Sequence, residues 1–381
     1  MSVFVLTTLL VYIIFNLGEK KTVTSKGTIT VNTELEIIRD TQTFFFIVGV
    51  VIFAYVTGQR FAFGDTITYM DSFNETTTTV SDVLSNFKLG EEQLFLLIKA
   101  FIKQYISTEP RVFIEIVSFI TIVPLLYFYF NYSGDLKFAF LLFVLSGCWE
   151  HTMNGLRQYL ACVIMLMALS LLYKRKWYLY IPIVILAAQI HTSAYIFIVV
   201  YFIANKPAWG KFTKIMLVIG LFLLVTYPLT GSFMNNLFVE NTDYGEKYNT
   251  YDFTNNVNMF RLAVMSVPVV VSFINRKNMI GKYKYYDIVF NMSLLCAMCT
   301  LIGLFSAVYA RLNLYFEVFN VMLLVWNIDD MIKQEKYKWI KFACICCFIA
   351  YFIYQMVFTY HLNWYEKFLF FCDSWYEYSW I

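Results

Sequence analysis

The sequence predicts an all-α polytopic membrane protein of about 12 transmembrane or half-spanning helices, with one amphipathic helix on the outer side. Three observations lead there. First, 60% of the 381 residues are hydrophobic and only 14% are charged, where a soluble domain has roughly 45–50% apolar and about 25% charged residues. Second, apolar runs long enough to cross a bilayer recur along the whole chain, without the strand-like alternation of a membrane barrel. Third, aromatic residues make up 20% of the chain, and many Tyr and Trp stand at the ends of those runs, where they suit a membrane interface.

The runs place helices at 2–17, 41–57, 111–130, 136–149, 156–173, 177–190, 193–204, 213–230, 259–274, 287–308, 311–326 and 338–358. Residues 2–17 read as a retained helix, since neither a basic leader nor a small-residue cleavage site accompanies them. Lysine and arginine set the orientation. Lys20, Lys21, Lys26 and Arg39 mark one cytoplasmic loop, and Lys174–Lys176 a second. Lys206, Lys211 and Lys214, then Arg276, Lys277, Lys282 and Lys284, then Lys333, Lys336, Lys338 and Lys341 mark three more. Alternation puts both termini outside, with outer segments at 58–110, 231–258 and 359–381. No repeat or linker divides the chain, so residues 1–381 read as a single integral membrane domain.

Two places depart from simple spans. The 28 apolar residues of 177–204 lie between two cytoplasmic loops and are too few for two full spans of ~20 residues each. They predict a broken hairpin with its bend at Gln189–Ser193, and irregular backbone at that depth needs protein or a wet cavity around it. His191 falls in the bend. In the outer loop, Glu91–Ile106 carries Leu94, Phe95, Ile98, Phe101, Ile102 and Tyr105 along one stripe, an amphipathic helix suited to the membrane surface. Ser81 or Asp82 reads as a helix cap, and Glu150–His151 reads as a solvated loop.

Composition also excludes some classes. A net charge of +3 with no basic stripe points away from nucleic acid. Of eight cysteines, six lie inside apolar runs, so the spacing Cys296-x-x-Cys299 reads as packing rather than as a metal or redox site. No nucleotide-binding motif is present, and no cofactor or metal is expected.

The remaining polar residues on the outer side carry the chemistry. Lys88, Lys99, Lys103 and Arg111 flank the amphipathic helix, and Lys247 and Lys367 lie in loops. Four further cations, all arginines, stand at helix ends: Arg60, Arg157, Arg261 and Arg311. Any one alone can snorkel to headgroups. Four arginines and no lysine suggest a phosphate or pyrophosphate site, because the planar guanidinium grips phosphate with two N–H groups. Acidic candidates are Asp65, Asp71, Glu91, Glu92, Glu150, Glu240, Asp243 and Glu246. Asp65, between Gly64 and Thr66, is either a turn or cap residue or a reactive carboxylate. His191 is either a hydrogen-bonded buried histidine or a general base. These residues alone leave two readings open, a transferase acting on a lipid-linked substrate and a transporter of an anionic one.

The same residues resemble the EpsG-type branch of the Wzy polymerases. The resemblance falls on Gly58-x-Arg60, on Gly64-Asp65-Thr66-x-x-Tyr69-x-x-x-Phe73, and on Glu92-x-x-Phe95. It continues at Arg157-Gln158-Tyr159-Leu160-Ala161, at Ile190-His191-Thr192-Ser193-Ala194, and at Arg311-x-x-x-Tyr315-Phe316. One residue that the family pattern carries between the Gly and the Asp is missing here. The resemblance implies a GT-C-like, all-helical glycosyltransferase in the bacterial cytoplasmic membrane, its active site facing the exterior or periplasm. Its substrate would be an oligosaccharide repeat unit linked to undecaprenyl pyrophosphate, and a chain-length regulator would accompany it. Arg60, Arg157, Gln158, Arg261, Arg311, Tyr69 and Tyr315 would bind pyrophosphate or glycan, and His191, Asp65 or Glu92 would be catalytic. A flippase or exporter of lipid-linked saccharides, a membrane O-acyltransferase and a glycan ligase are the alternatives.

Overall fold

The computed structural model describes residues 2–18, 31–61, 63–235, 257–305 and 310–360. Most of the outer segments 231–258 and 359–381 lies outside the described residues, with Glu240, Asp243, Glu246, Lys247 and Lys367. So do the loop lysines Lys20, Lys21 and Lys26.

All regular structure among the described residues is helical. The helices are α1 Ser2–Gly18, α2 Val31–Gly58, α3 Thr66–Asn74, α4 Val80–Ser85, α5 Gln93–Tyr105 and α6 Pro110–Tyr132. Next come α7 Leu136–Leu145, α8 Cys148–Asn154, α9 Leu156–Met167, α10 Leu169–Tyr173, α11 Trp177–Ala188 and α12 Ile196–Ile203. Then follow α13 Lys211–Asn235, α14 Met259–Ile274, α15 Tyr286–Ile302, α16 Glu317–Met331 and α17 Trp339–Tyr354. Among the described residues, Pro110–Tyr132 and Glu335–Thr359 are long and apolar enough to cross a membrane, and eight shorter apolar helices accompany them.

The chain divides into two compact units, one of residues 1–163 and 345–381, the other of residues 164–344. In the first, α1, α2, α6 and α7 pack together. Gly18, Gln42, Phe130, Gly134 and Leu136 line one crevice, so the ends of α1 and α6 and the start of α7 meet beside Gln42 of α2. At the opposite end α2 and α6 touch backbone to backbone. A Cβ on Gly58 would stand 2.9 Å from Glu115 Cα, the close approach that small residues permit between apolar helices. Gln59 donates to Glu115 at 2.7 Å, and the Trp149 indole donates to Thr57 Oγ1 at 2.9 Å. Trp149 also packs on Phe4 and Phe53, with ring centres 4.8 and 4.5 Å away.

In the second unit α14, α15 and α16 form the packed core. Asparagines tie these otherwise apolar helices to one another and to the segments beside them. Asn320 donates to the Met265 carbonyl at 2.9 Å, Asn313 to Thr300 at 3.1 Å, and Asn291 to the Ala204 carbonyl at 2.9 Å. Such bonds fix the register between helices whose apolar faces would otherwise slide.

Beyond the 311–326 run, Lys282 pairs with Asp330, whose second oxygen accepts from Asn275 at 2.9 Å. Burial alone raises Asp330, but bonds from Lys282 and Asn275 outweigh it and hold the carboxyl below its ordinary value. The bond to Asp330 raises Lys282. A depressed carboxylate stabilises the fold above its unfolded pKa, and that stability is lost as pH falls through its folded one; Lys282's share is lost only as pH rises through its raised value. Asp330→Asn is therefore expected to cost about 1 kcal/mol at neutral pH, allowing for screening around the part-exposed lysine. Thermal unfolding in detergent should also show a flatter acid limb. An acid limb identical to the wild type contradicts this assignment.

Several expected boundaries moved. The expected helix 136–149 breaks at Gly147, whose φ of +88° is open to glycine, and a Cβ there would stand 2.6 Å from Gln355 Oε1. The chain then re-enters helix as α8, so Glu150 and His151 lie on a helix and are buried, not solvated in a loop. The expected span 311–326 opens in a tight 3-10 turn, Arg311–Tyr315. The expected break in 177–204 is present: α11 ends at Ala188, Thr192–Tyr195 forms a 3-10 turn, and α12 starts at Ile196.

Candidate functional site

The first cluster lies in the first unit and begins with Arg60, which follows the end of α2. Arg60 is 2% exposed. One of its terminal nitrogens donates to the Thr57 carbonyl and to Ser118 Oγ, both at 2.7 Å, and its Nε donates to Thr66 Oγ1 at 3.1 Å. Burial lowers its pKa to about 9, which leaves it a cation at neutral pH. Thr66 Oγ1 in turn donates to the Phe63 carbonyl at 2.5 Å. Arg60 therefore ties the start of α3 to α2 and α6.

That anchor explains the spacing in the Gly64–Tyr69 stretch. Gly64 has φ +57°, and a Cβ there would stand 3.2 Å from Asn154 Cβ, so glycine fits both the turn and the neighbour. Asp65 occupies the cap position of α3, but its side chain does not cap the helix. With the Asn154 amide turned to donate, its nitrogen lies 3.3 Å from both Asp65 carboxylate oxygens. Tyr69, one turn further on, lies within electrostatic reach of both Arg60 and Arg157.

Arg157, in the first turn of α9, is the centre of this cluster. It forms a salt bridge with Glu92, and Asp65 is also within electrostatic reach. Its guanidinium stands over the Phe95 ring, 5.7 Å from the centroid. Its Nε is buried and has no hydrogen-bond partner among the described residues. Gln158, beside it, is buried. The arrangement offers a half-exposed guanidinium flanked by a phenol and two carboxylates, a set able to grip an anion and accept a proton near it.

The amphipathic helix covers this cluster. α5 turns Phe95, Lys99, Ala100 and Ile102 inward and leaves Phe101 and Tyr105 exposed, so the expected apolar stripe is divided between protein and surroundings. Lys103 donates to the carbonyls of Phe73, Asn74 and Thr76 at 3.1, 2.6 and 2.9 Å. Lys99 donates to Ser72 Oγ at 2.9 Å. Lys99 and Lys103 thus cap the carbonyl end of α3, where a cation is favoured. α4 starts on Thr79, not Ser81 or Asp82; Thr79 Oγ1 accepts from Asp82 N at 3.2 Å, and Asp82 accepts from Thr79 N at 3.0 Å.

The second cluster lies in the second unit. His191 is half-buried, on extended backbone before the 3-10 turn of the bend. The Ser193 hydroxyl lies 2.8 Å from the buried Tyr315 hydroxyl, which joins the bend to the Arg311–Tyr315 turn. Phe197 packs edge-on against Tyr315, with centroids 5.3 Å apart. Arg311 is exposed. Arg261, in the first turn of α14, lies with the fully buried Glu317 within electrostatic reach of Cys296. Among the described residues no three His, Cys, Asp or Glu side chains converge to hold a metal ion.

Glu317 and Asn154 have no place in the sequence reading, and Lys99 enters it only as a cation flanking the amphipathic helix. Glu317 carried a usable signal, a lone acid at the start of a long apolar run. Asn154 and Lys99 carried none, because their roles depend on neighbours distant in sequence.

The described residues form an all-helical fold rich in apolar helices, with Glu92, Asp65 and Tyr69 around Arg157, the make-up of a membrane protein. The family match then makes it specific. The EpsG family matches residues 43–378, and the chain belongs to that family. It is a polysaccharide-polymerase-like membrane protein. No curated protein and no solved structure matches the chain.

Proposed function

We propose that the protein is a GT-C-like glycosyltransferase, multi-pass in the bacterial cytoplasmic membrane, with its active site facing the exterior. It joins oligosaccharide repeat units carried on undecaprenyl pyrophosphate into a surface polysaccharide. A hydroxyl of the incoming unit attacks the anomeric carbon of the growing chain. The bond from that carbon to the pyrophosphate oxygen breaks, undecaprenyl pyrophosphate leaves, and the hydroxyl proton passes to a base. The lipid-linked donor brings its own activation, so no metal or nucleotide is required. A chain-length regulator is the expected partner.

The observation that carries this reading is the Arg157 cluster. Arg157, with Tyr69 beside it, takes the charge that develops on the departing pyrophosphate, where preorganised donors are most effective. Asp65, held by Asn154, or His191 accepts the proton. Arg60 holds the loop that presents Asp65 and Tyr69. Arg261, Arg311, Gln158 and Tyr315 contribute to pyrophosphate or glycan binding. The test uses purified protein in nanodiscs with an authentic lipid-linked repeat unit and no nucleotide, metal or ATP. A ladder of products spaced by one repeat is expected. Lipid-linked saccharide crossing liposomes, with no ladder formed, would sink the enzyme reading.

A further inference from the structure

The Glu92–Arg157 pair has features that a plain structural salt bridge does not need. Glu92 opens α5 at φ +53°, a left-handed backbone that costs energy in any residue with a Cβ. It stands at the helix cap position, yet its side chain makes no cap bond and is on Arg157 instead. Neither partner is deeply buried, with side-chain exposures of 36% for Arg157 and 23% for Glu92, so the contact can exchange with solvent anions. Arg157 Nε is buried and has no partner among the described residues, so the guanidinium fork is not fully used by Glu92. Asp65 acts on the same guanidinium. Two carboxylates on one arginine repel an incoming phosphate, and binding requires that one of them move.

We infer that Glu92 is a stand-in anion: its carboxylate holds Arg157 until a phosphate group of the substrate displaces it. The inference rests on the reading of Arg157 as the pyrophosphate grip and adds that the grip is competitive. Displacement removes the side-chain tie that keeps Glu92 in its left-handed conformation, so the start of α5 is the element set free to move. Glu92 is then a positioning residue and not the base. Asp65 stays in place on Asn154, one reason Glu92 is the carboxylate that leaves.

The test is a titration of purified wild-type, Glu92→Gln and Arg157→Ala protein in nanodiscs with inorganic pyrophosphate and, separately, with undecaprenyl pyrophosphate. Glu92→Gln keeps the side-chain shape and removes the charge, and it is expected to tighten binding by about tenfold. Glu92→Gly, which accepts a left-handed backbone without strain, guards against misfolding of the first variant and is expected to tighten binding likewise. Tightening for both compounds indicates recognition of the pyrophosphate itself; tightening for the lipid alone places the prenyl chain in the site as well. Unchanged or weaker binding in both Glu92 variants, with binding lost in Arg157→Ala, overturns the stand-in role and leaves the pyrophosphate reading intact. Binding unaffected by Arg157→Ala overturns both.

Discussion

Replacing Arg157 by Ala is expected to slow chain extension by about 10²–10³-fold while the protein stays folded. That magnitude is what removal of one preorganised donor to a developing oxyanion costs. The substitution also removes the cation on which Glu92 and Asp65 both act, so part of the loss can come from a disordered site. Arg157→Lys separates these effects. A lysine restores a positive charge for the two carboxylates but lacks the planar fork. It should recover the thermal midpoint and little of the rate. Full recovery of rate by lysine would reduce Arg157 to a point charge and weaken the case for a bidentate pyrophosphate contact.

Arg60→Ala has the second large effect, and it falls on stability. The side chain is enclosed, and its removal takes the donor from the Thr57 carbonyl and one of the partners from each of the Ser118 and Thr66 hydroxyls while opening a cavity. A cost of about 3–5 kcal/mol is expected, seen as a lower midpoint of thermal unfolding in detergent. Extension should fall with it, because α3 carries Asp65 and Tyr69 and begins on that anchor. A variant with the wild-type midpoint and no extension would instead put Arg60 on the substrate.

The contrast between these two arginines shows where sequence reasoning stops. Both stand at helix ends that the lysine count places outside, and both invite the same phosphate reading. Ser118, which holds Arg60, is 58 positions away in the chain, and Glu92, which meets Arg157, is 65 away. No local pattern separates a cation turned inward from one at a site. Helix positions were far more legible, because apolar runs and capping residues are local. The run 259–274 agrees at both ends with α14, which starts on an Asn258 cap whose side chain accepts from Arg261 N at 2.8 Å. The bend at Gln189–Ser193 followed from counting residues against bilayer thickness. α3 was missed because TITYMDSF is polar and short, and its start depends on Arg60 and Thr66. Glu150 and His151 misled for the opposite reason, since local polarity suggested water where α8 buries both.

The second cluster was half legible. His191 and Tyr315 were singled out separately, and the Ser193–Tyr315 bond shows that their segments meet. Glu317, enclosed nearby in sequence to Tyr315, adds an acid that helix burial alone does not explain.

The most direct measurement of the central claim is stoichiometric. Purified protein is given a lipid-linked repeat unit, and new glycosidic linkages and released undecaprenyl pyrophosphate are counted together over time. One released lipid pyrophosphate per linkage is expected in the wild type, with both rates falling together in Arg157→Ala. Linkages formed without release of lipid pyrophosphate, or rates untouched by the loss of Arg157, would contradict it.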